Sequence, residues 1–384
     1  VQPVALAALA QRLAEARAAE AFRQRRCRKG PPPRPTVDGR QVINFAANDY
    51  LGLAADPRVI DAHRRGTERY GVGAGASELV SGHTDAHEEL EAVLARFTGR
   101  SRALVFSTGY MANLGVVSVL ASRRTVVIED RLNHASLLDA AVLARSRLRR
   151  YGHVDLDELA ARLATNPGAV VITDGVFSMD GDLAPLPGVA ELCRAHGATL
   201  VVDDAHGFGV LGEHGAGTAE HFGLTPGDVP VLVGTFGKAF GGAGAFVVGD
   251  EVIIEALIQF ARPYIYTTAL PPAICCAMTA SLQIVQTEPG LRGRLRGNVD
   301  RFRARASARG IPLMQSSTAI QPIILGRNGR AVAVAERLLA QGFWVAAIRP
   351  PTVPAGSARL RIAVSAAHAV EEIDALVDAV AAAI

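Results

Sequence analysis

Val229-Pro230-Val231-Leu232-Val233-Gly234-Thr235-Phe236-Gly237-Lys238-Ala239-Phe240-Gly241-Gly242 is an apolar run that enters a glycine-rich turn. A run of this length bounded by turn residues reads as a buried strand, and glycines after it let the backbone approach a ligand closely. The lysine in the turn stands out because Lys29 and Lys238 are the only two in 384 residues, although Lys and Arg together number 40. Arginine stays protonated, whereas a lysine amine can lose its proton and attack a carbonyl to form a Schiff base. Lys238 is therefore the candidate for chemistry that arginine cannot perform, and Lys29 reads as a surface residue.

Outward from this stretch the pattern repeats. Apolar runs at Ala103–Phe106, Thr125–Ile128, Ala169–Thr173, Thr199–Val202 and Ala245–Val248 alternate with helical stretches such as Thr84–Phe97 and Leu186–His196. That alternation predicts an α/β fold with a largely parallel sheet covered by helices. The chain is longer than a single core supports, so a second, smaller domain is expected. An N-terminal helix and arm over 1–50, a large domain over 51–285 and a small α+β domain over 286–384 are the expected divisions. The small domain carries predicted helices at 291–309, 329–341 and 368–383 and strands at Ile320–Leu325 and Leu360–Val364.

Composition excludes several classes of function. Hydrophobic residues make up 49% and charged residues 20%, with no apolar run near the length of a membrane span. The net charge of +3 is small and the arginines are scattered among acids, so no nucleic-acid partner is indicated. The cluster Arg23–Lys29 reads as a solvated helix end. Cys27, Cys193, Cys275 and Cys276 have neither metal-ligand nor CxxC spacing, which points to a reducing cytoplasm and no metal. Residues Val1–Gln24 form an Ala-rich amphipathic helix pattern with acids at Glu15 and Glu20, unlike a signal peptide.

In open parallel sheets ligands bind beyond the carboxyl ends of the strands. The residues that fall there are Ser107-Thr108-Gly109-Tyr110-Met111-Ala112-Asn113, Asp174 with Ser178, Asp203-Asp204-Ala205-His206-Gly207, and Thr235 with Lys238. An amine, a carboxylate, an imidazole and small donors match the requirements of pyridoxal phosphate: an amine for its aldehyde, a carboxylate for its ring nitrogen, and amides and hydroxyls for its phosphate. Asp203 suits the ring nitrogen and His206 the phenolate oxygen. Gly109 and Tyr110, at the start of a helix, suit the phosphate together with Thr235, and His134 suits the ring face.

Thr235-Phe236-Gly237-Lys238, Val202-Asp203-Asp204-Ala205-His206-Gly207 and Gly175-Val176-Phe177-Ser178-Met179-Asp180-Gly181 resemble the α-oxoamine synthases. The likeness runs end to end, from Asn48-Asp49-Tyr50-Leu51-Gly52-Leu53 to Arg359-Leu360-Arg361. It implies pyridoxal-phosphate transferase fold type I, with a mainly parallel seven-stranded sheet. Lys238, His134, Asp203 and His206 are implied as catalytic, and Gly109, Tyr110, Ser178 and Thr235 as cofactor contacts. Thr267 and Thr268 are implied to reach in from the second subunit of a homodimer. For substrate, the resemblance implies Arg361 and Asn48 at an amino-acid carboxylate, with Arg23, Arg349 and Thr352 on the acyl side. Ala347-Ile348-Arg349-Pro350-Pro351-Thr352-Val353-Pro354-Ala355-Gly356 is most similar to the branch that joins L-alanine to a pimeloyl thioester, on coenzyme A or a carrier protein, in biotin synthesis. Glu78 departs from the basic or neutral residue common in relatives and leaves the local acyl-entry chemistry open.

Three rival readings compete with this one. A sibling specificity, glycine with acetyl-CoA, is separated by assay. A nucleotide loop at Gly71-Val72-Gly73-Ala74-Gly75 lacks the GK[ST] ending. A non-catalytic scaffold would have no need of Lys238, Asp203 and His206 together.

Overall fold

The computed structural model describes residues 4–384, so the first three positions of the expected N-terminal helix lie outside the described residues. The chain forms two compact units: residues 48–178 with 182–294, and residues up to 47 with 179–181 and 295–384.

The larger unit is built on a seven-stranded sheet. Its strands in chain order are β1 (Arg102–Phe106), β2 (Val126–Asp130), β3 (Arg147–Tyr151), β4 (Val170–Asp174), β5 (Thr199–Asp203), β6 (Val231–Thr235) and β7 (Ala245–Gly249). They lie in the order β1-β7-β6-β5-β4-β2-β3. Pairings from β6 through β5, β4 and β2 to β3 are parallel, and β7 runs antiparallel to both β6 and β1. Val, Ile and Leu fill the central strands because both faces are covered. One face buries Val127, Ile172, Val201 and Val233 against Ala112 and Val116 of helix Gly109–Leu120 and Leu137 of helix Ala135–Leu143. The six strand runs read from the sequence are present. β3, sequence Arg-Leu-Arg-Arg-Tyr, is the one that hydrophobic pattern misses, because an exposed edge strand needs little apolar surface.

In the other unit, strands β8 (Ile320–Gly326), β9 (Ala346–Ile348) and β10 (Ala358–Ala363) form an antiparallel sheet in the order β8-β10-β9. Helix Asn328–Ala340 and helix Val370–Ala383 accompany it. Leu295, Val299, Phe302 and Ala306, spaced along one side of helix Gly290–Ala308, are buried. The arm belongs to this unit. Ile43–Asn44 pairs in parallel with Phe343–Trp344, and His368 lies 3.9 Å from the Phe45 ring. Met179–Gly181 also belongs here: Ser316 Oγ and Thr318 Oγ1 donate to the Gly181 carbonyl at 2.8 and 2.9 Å, and Arg359 Nη1 donates to Asp180 Oδ1 at 2.7 Å.

The N-terminal helix covers Val4–Ala18 and buries none of its residues, so the helix pattern expected as far as Gln24 is corrected to end at Ala18. Glu20 adopts φ 53, a left-handed turn that ends the helix, while Asn328 Nδ2 donates to the exposed Ala19 carbonyl at 3.0 Å. The basic cluster is not simply solvated either. Arg26 reaches Asp38 at 3.2 Å and Glu336 at 2.5 Å. No helix among the described residues is long and apolar enough to cross a membrane.

Candidate active site

The carboxyl ends of β1, β2, β4, β5 and β6 lead into one cavity of about 210 Å³ in the larger unit. Gly109, Tyr110, Asn113, His134, Ser136, Asp174, Ser178, Asp203, His206, Thr235 and Lys238 line it. Eight of the ten sequence-predicted cofactor residues are among these: Gly109, Tyr110, His134, Ser178, Asp203, His206, Thr235 and Lys238. The turn bearing Lys238 is tight. Gly241 has φ 68, and a β-carbon there would strike the backbone of Leu53 and Ala54.

A connected polar network fixes the carboxylate and the imidazole. Asp203 Oδ2 accepts from Asn113 Nδ2 at 2.6 Å, and its Oδ1 accepts from the Ala205 amide at 3.0 Å. Asn113 Nδ2 also donates to Ser136 Oγ at 2.8 Å, and Ser136 Oγ lies 2.7 Å from His134 Nδ1. The Ser136 amide donates to the same nitrogen, so Nδ1 is the acceptor and the proton of the neutral ring sits on Nε2. Burial lowers the His134 pKa, against the pull of Asp203. The ring is therefore neutral near pH 7.

His134 is placed by the strand beside it. Its amide donates to Asp174 Oδ2 at 2.9 Å, while Asn133 bonds both the Asp174 amide and the Ile172 carbonyl. Register sets Asp174 opposite Asp203, and both are buried. Burial first, then the charge of Asp203, hold the Asp174 carboxyl well above the usual carboxylate range. Asp204, on the far side of the same strand end, is pushed up to about 7 by burial and accepts from the Thr218 amide at 2.6 Å. His206 is oriented through Nδ1, 2.7 Å from Tyr50 Oη, which also lies 3.2 Å from Asn48 Oδ1.

At the other end of the cavity, helix Gly109–Leu120 presents its first turn. Thr108 caps it by accepting from the Met111 amide, so the Gly109 and Tyr110 amides remain at the N-terminus of a helix twelve residues long. The Tyr110 hydroxyl donates to Asp139. Thr235 Oγ1 donates to the Gly244 carbonyl at 3.0 Å and accepts from Gly237 at 3.1 Å, so it must rotate to donate to a ligand.

The sequence model for aminotransferase class I and II matches residues 40–380. The chain belongs to this family. An 8-amino-7-oxononanoate synthase of Thioalkalivibrio sulfidiphilus is 57% identical over 371 residues, covering 96% of this chain and 95% of that protein. One of Methylococcus capsulatus is 57% identical over 378 residues, covering 98% of each. Among solved structures, a serine palmitoyltransferase from S. paucimobilis with PLP and myriocin bound superposes with TM-score 0.91 at 33% identity, covering 99% of this chain and 96% of that one. The family's pyridoxal-phosphate fold is the one observed, and the donor set fits that group: an amine, a carboxylate held by two N–H donors, a neutral imidazole and helix N-terminal amides.

Asn113, Ser136, Asp174 and Tyr50 complete the site, although sequence pattern alone assigns them no role. Their signal is position, since Asn113 lies one turn into the helix after β1 and Ser136 two residues after His134. Thr267 and Thr268 do not line this cavity; the Thr268 carbonyl accepts from Ser107 Oγ at 3.3 Å. In the C-terminal unit, Arg23 Nη2 donates to Thr352 Oγ1 at 3.3 Å, and Arg349 Nη1 donates to the Glu20 and Phe22 carbonyls at 3.1 and 3.3 Å. The three acyl-side candidates thus form one cluster. Arg361 is buried on the same side of β10 as Arg359. Glu78 is buried and faces inward, with Oε2 2.8 Å from His83 Nδ1. Glu78, His83 and His87 place ligand-type atoms within 4.8 Å of one another. Both His87 nitrogens are engaged, however: Nε2 donates to the Leu270 carbonyl at 2.7 Å and Nδ1 accepts from Thr84.

Proposed function

We propose that this chain condenses L-alanine with a pimeloyl thioester, on coenzyme A or a carrier protein, giving 8-amino-7-oxononanoate, carbon dioxide and the free thiol. The observation that carries the reading is the convergence of Lys238, Asp203 and His134 on one strand-end cavity in a chain 57% identical to such synthases along nearly its whole length. That identity favours alanine with a pimeloyl group over glycine with acetyl-CoA. Pyridoxal phosphate, when bound, supplies an aldehyde to carry the amino acid and a ring that takes up the electron pair left at the α-carbon.

The chain's own residues do the rest. Lys238 Nζ holds the aldehyde between turnovers and receives the α-proton when alanine occupies the site. Asp203 faces the ring nitrogen as a carboxylate, kept in place by Asn113 and Ala205. His134 covers the ring face in its neutral form, which avoids a second positive charge against a protonated ring. Ser178 and His206 serve the phenolate side. The Gly109 and Tyr110 amides, with Thr235 once it turns from Gly244, serve the phosphate. Arg361, with Asn48, takes the alanine carboxylate as a planar guanidinium suits. Arg23, Arg349 and Thr352 take the acyl side. A homodimer in the cytoplasm completes the reading: Thr267 and Thr268 serve the partner's cofactor, in keeping with their absence from the cavity of their own chain.

Mass spectrometry of the product decides it. Alanine with pimeloyl-CoA or pimeloyl carrier protein is expected to yield 8-amino-7-oxononanoate, with glycine and acetyl-CoA inactive. Product from the glycine pair alone would overturn the assignment.

A further inference from the structure

His153 lies just after β3 and does not line the cofactor cavity. Its Nδ1 is 3.0 Å from Asp130 Oδ1 and its Nε2 is 2.8 Å from Asp182 Oδ2. A carboxylate at each ring nitrogen requires a proton on both, so the ring is an imidazolium. Burial opposes that charge, and the hydrogen bonds to Asp130 and Asp182 overcome it, bringing the pKa to about 10. The edge of the ring packs on Phe177, with centroids 4.4 Å apart and planes at 85°.

The two carboxylates have different anchors. Asp130 ends β2 and is locked there, accepting from the Leu132 and Val154 amides, each at 2.8 Å. Asp182 belongs to the turn that follows β4. That turn closes through Phe177 N to Asp182 O at 3.0 Å and Ala184 N to Gly175 O at 3.0 Å, with a bridge between Val176 and Leu183. Asp182 Oδ1 is buried with no hydrogen-bond partner, so His153 is what the structure records against that side chain. A partly buried ion pair such as this is weak evidence of a stabilising role; joining two segments in a fixed register is its better-attested use. Ser178 follows Phe177 directly and lines the cavity.

We propose that His153 is a positioning residue: by bridging Asp130 to Asp182 and packing on Phe177, it fixes the 175–184 turn so that the Ser178 hydroxyl meets the phenolate side of the cofactor. This rests on the reading of Ser178 given above. The holoenzyme variants H153Q, D182N, S178A and H153Q/S178A test it. Three quantities are read: the pH midpoint of the bound cofactor's visible absorption band, the pyridoxal-phosphate dissociation constant, and the melting temperature of the apoprotein. S178A is expected to move the band midpoint, as loss of a hydrogen bond to an ionising group does. H153Q and D182N should move it in the same direction, raise the dissociation constant about three- to tenfold, and lower kcat more than they change the KM for alanine. The double variant should match S178A in band position, because the clamp acts through that hydroxyl. A lower melting temperature with a wild-type band in H153Q and D182N would reduce His153 to a structural residue. A full additional band shift in the double variant would also overturn the proposal. An unmoved band in S178A would instead remove the Ser178 reading, and the clamp's purpose with it. If H153Q does not fold, the band positions of D182N and S178A separate the same outcomes.

Discussion

The cavity at the strand ends and the cavity beside the arm are made in opposite ways. The first measures about 210 Å³, and its polar side chains sit at strand ends and helix starts, where buried partners such as Asn113 for Asp203 and Asp174 for His134 hold them. The second, about 500 Å³ within the C-terminal unit, is lined by Phe22 and Arg26 of the arm and by Glu336, Trp344 and Arg349 from near the other end of the chain. Its hydrogen bonds, such as Arg349 to the Glu20 carbonyl, join residues 329 positions apart. A site built on strand ends inherits its precision from the sheet. One built where the arm meets the C-terminal strands depends on long, rotatable arginines.

The sharpest way to break the first site while leaving the second intact is Lys238→Ala. Loss of the amine is expected to reduce turnover by at least about 10³-fold, since in the proposed mechanism it removes both the cofactor attachment and the proton acceptor. The visible absorbance that borohydride bleaches in the wild type should be absent. Near-normal turnover in that variant would refute the mechanism.

This contrast also separates what is legible in the sequence from what is not. Strand-end residues follow apolar runs in a fixed order, so Asp203, His206, Thr235 and Lys238 stand out as a set from pattern alone. Asn113 falls in a strand-end stretch and Ser136 outside one, and pattern discloses the role of neither, because each acts on a residue from another segment: Asn113 on Asp203, 90 positions away, and Ser136 on the amide of Asn113. β3 escapes because three of its five residues are arginine. Glu78 looks like a departure bearing on acyl entry, yet its carboxylate is buried against His83. Sequence shows a charge, whereas only packing shows where it points.

Asn113→Ala is the next largest effect. It leaves the Asp203 oxygen and the Ser136 hydroxyl each without a buried donor, a cost of about 2–3 kcal/mol. The expected result is about 30- to 100-fold weaker cofactor binding, measured by equilibrium dialysis, with His134 also loosened. Asn113→Asp should be worse, because it sets a second carboxylate against Asp203. Wild-type affinity in both variants would show that the network is dispensable.

In the C-terminal unit the comparable test is acidity. His368 is buried, with Nδ1 accepting from the Ser365 amide at 3.1 Å, and desolvation lowers its pKa to about 4. Its folded pKa lies below the unfolded value of about 6.5. The unfolded chain therefore binds the extra proton first as pH falls, and stability should decline from about pH 6.5 down to about pH 4. The full loss is on the order of 3 kcal/mol. Chemical denaturation of wild type and His368→Phe across that range checks it: the wild-type decline should exceed that of the variant, and parallel curves would exclude His368 as the cause.

The smallest expected effect probes the arm-side cluster. Arg349 donates from one guanidinium nitrogen to two arm carbonyls, Glu20 and Phe22, while Arg23 reaches Thr352 three residues further on. A lysine at position 349 keeps the charge but loses the planar fork that can hold the arm and face a carboxylate together. Arg349→Lys is accordingly expected to raise the KM for the pimeloyl thioester about tenfold, with kcat and the KM for alanine changed less than about twofold, the pattern of a lost uniform binding contact. Cofactor absorbance should be untouched, because no residue of the strand-end cavity is altered. If Arg349→Lys instead lowered kcat and left the thioester KM alone, the cluster would belong to the chemistry rather than to acyl binding. The division between a rigid reacting site and an arginine-held binding site would then fail.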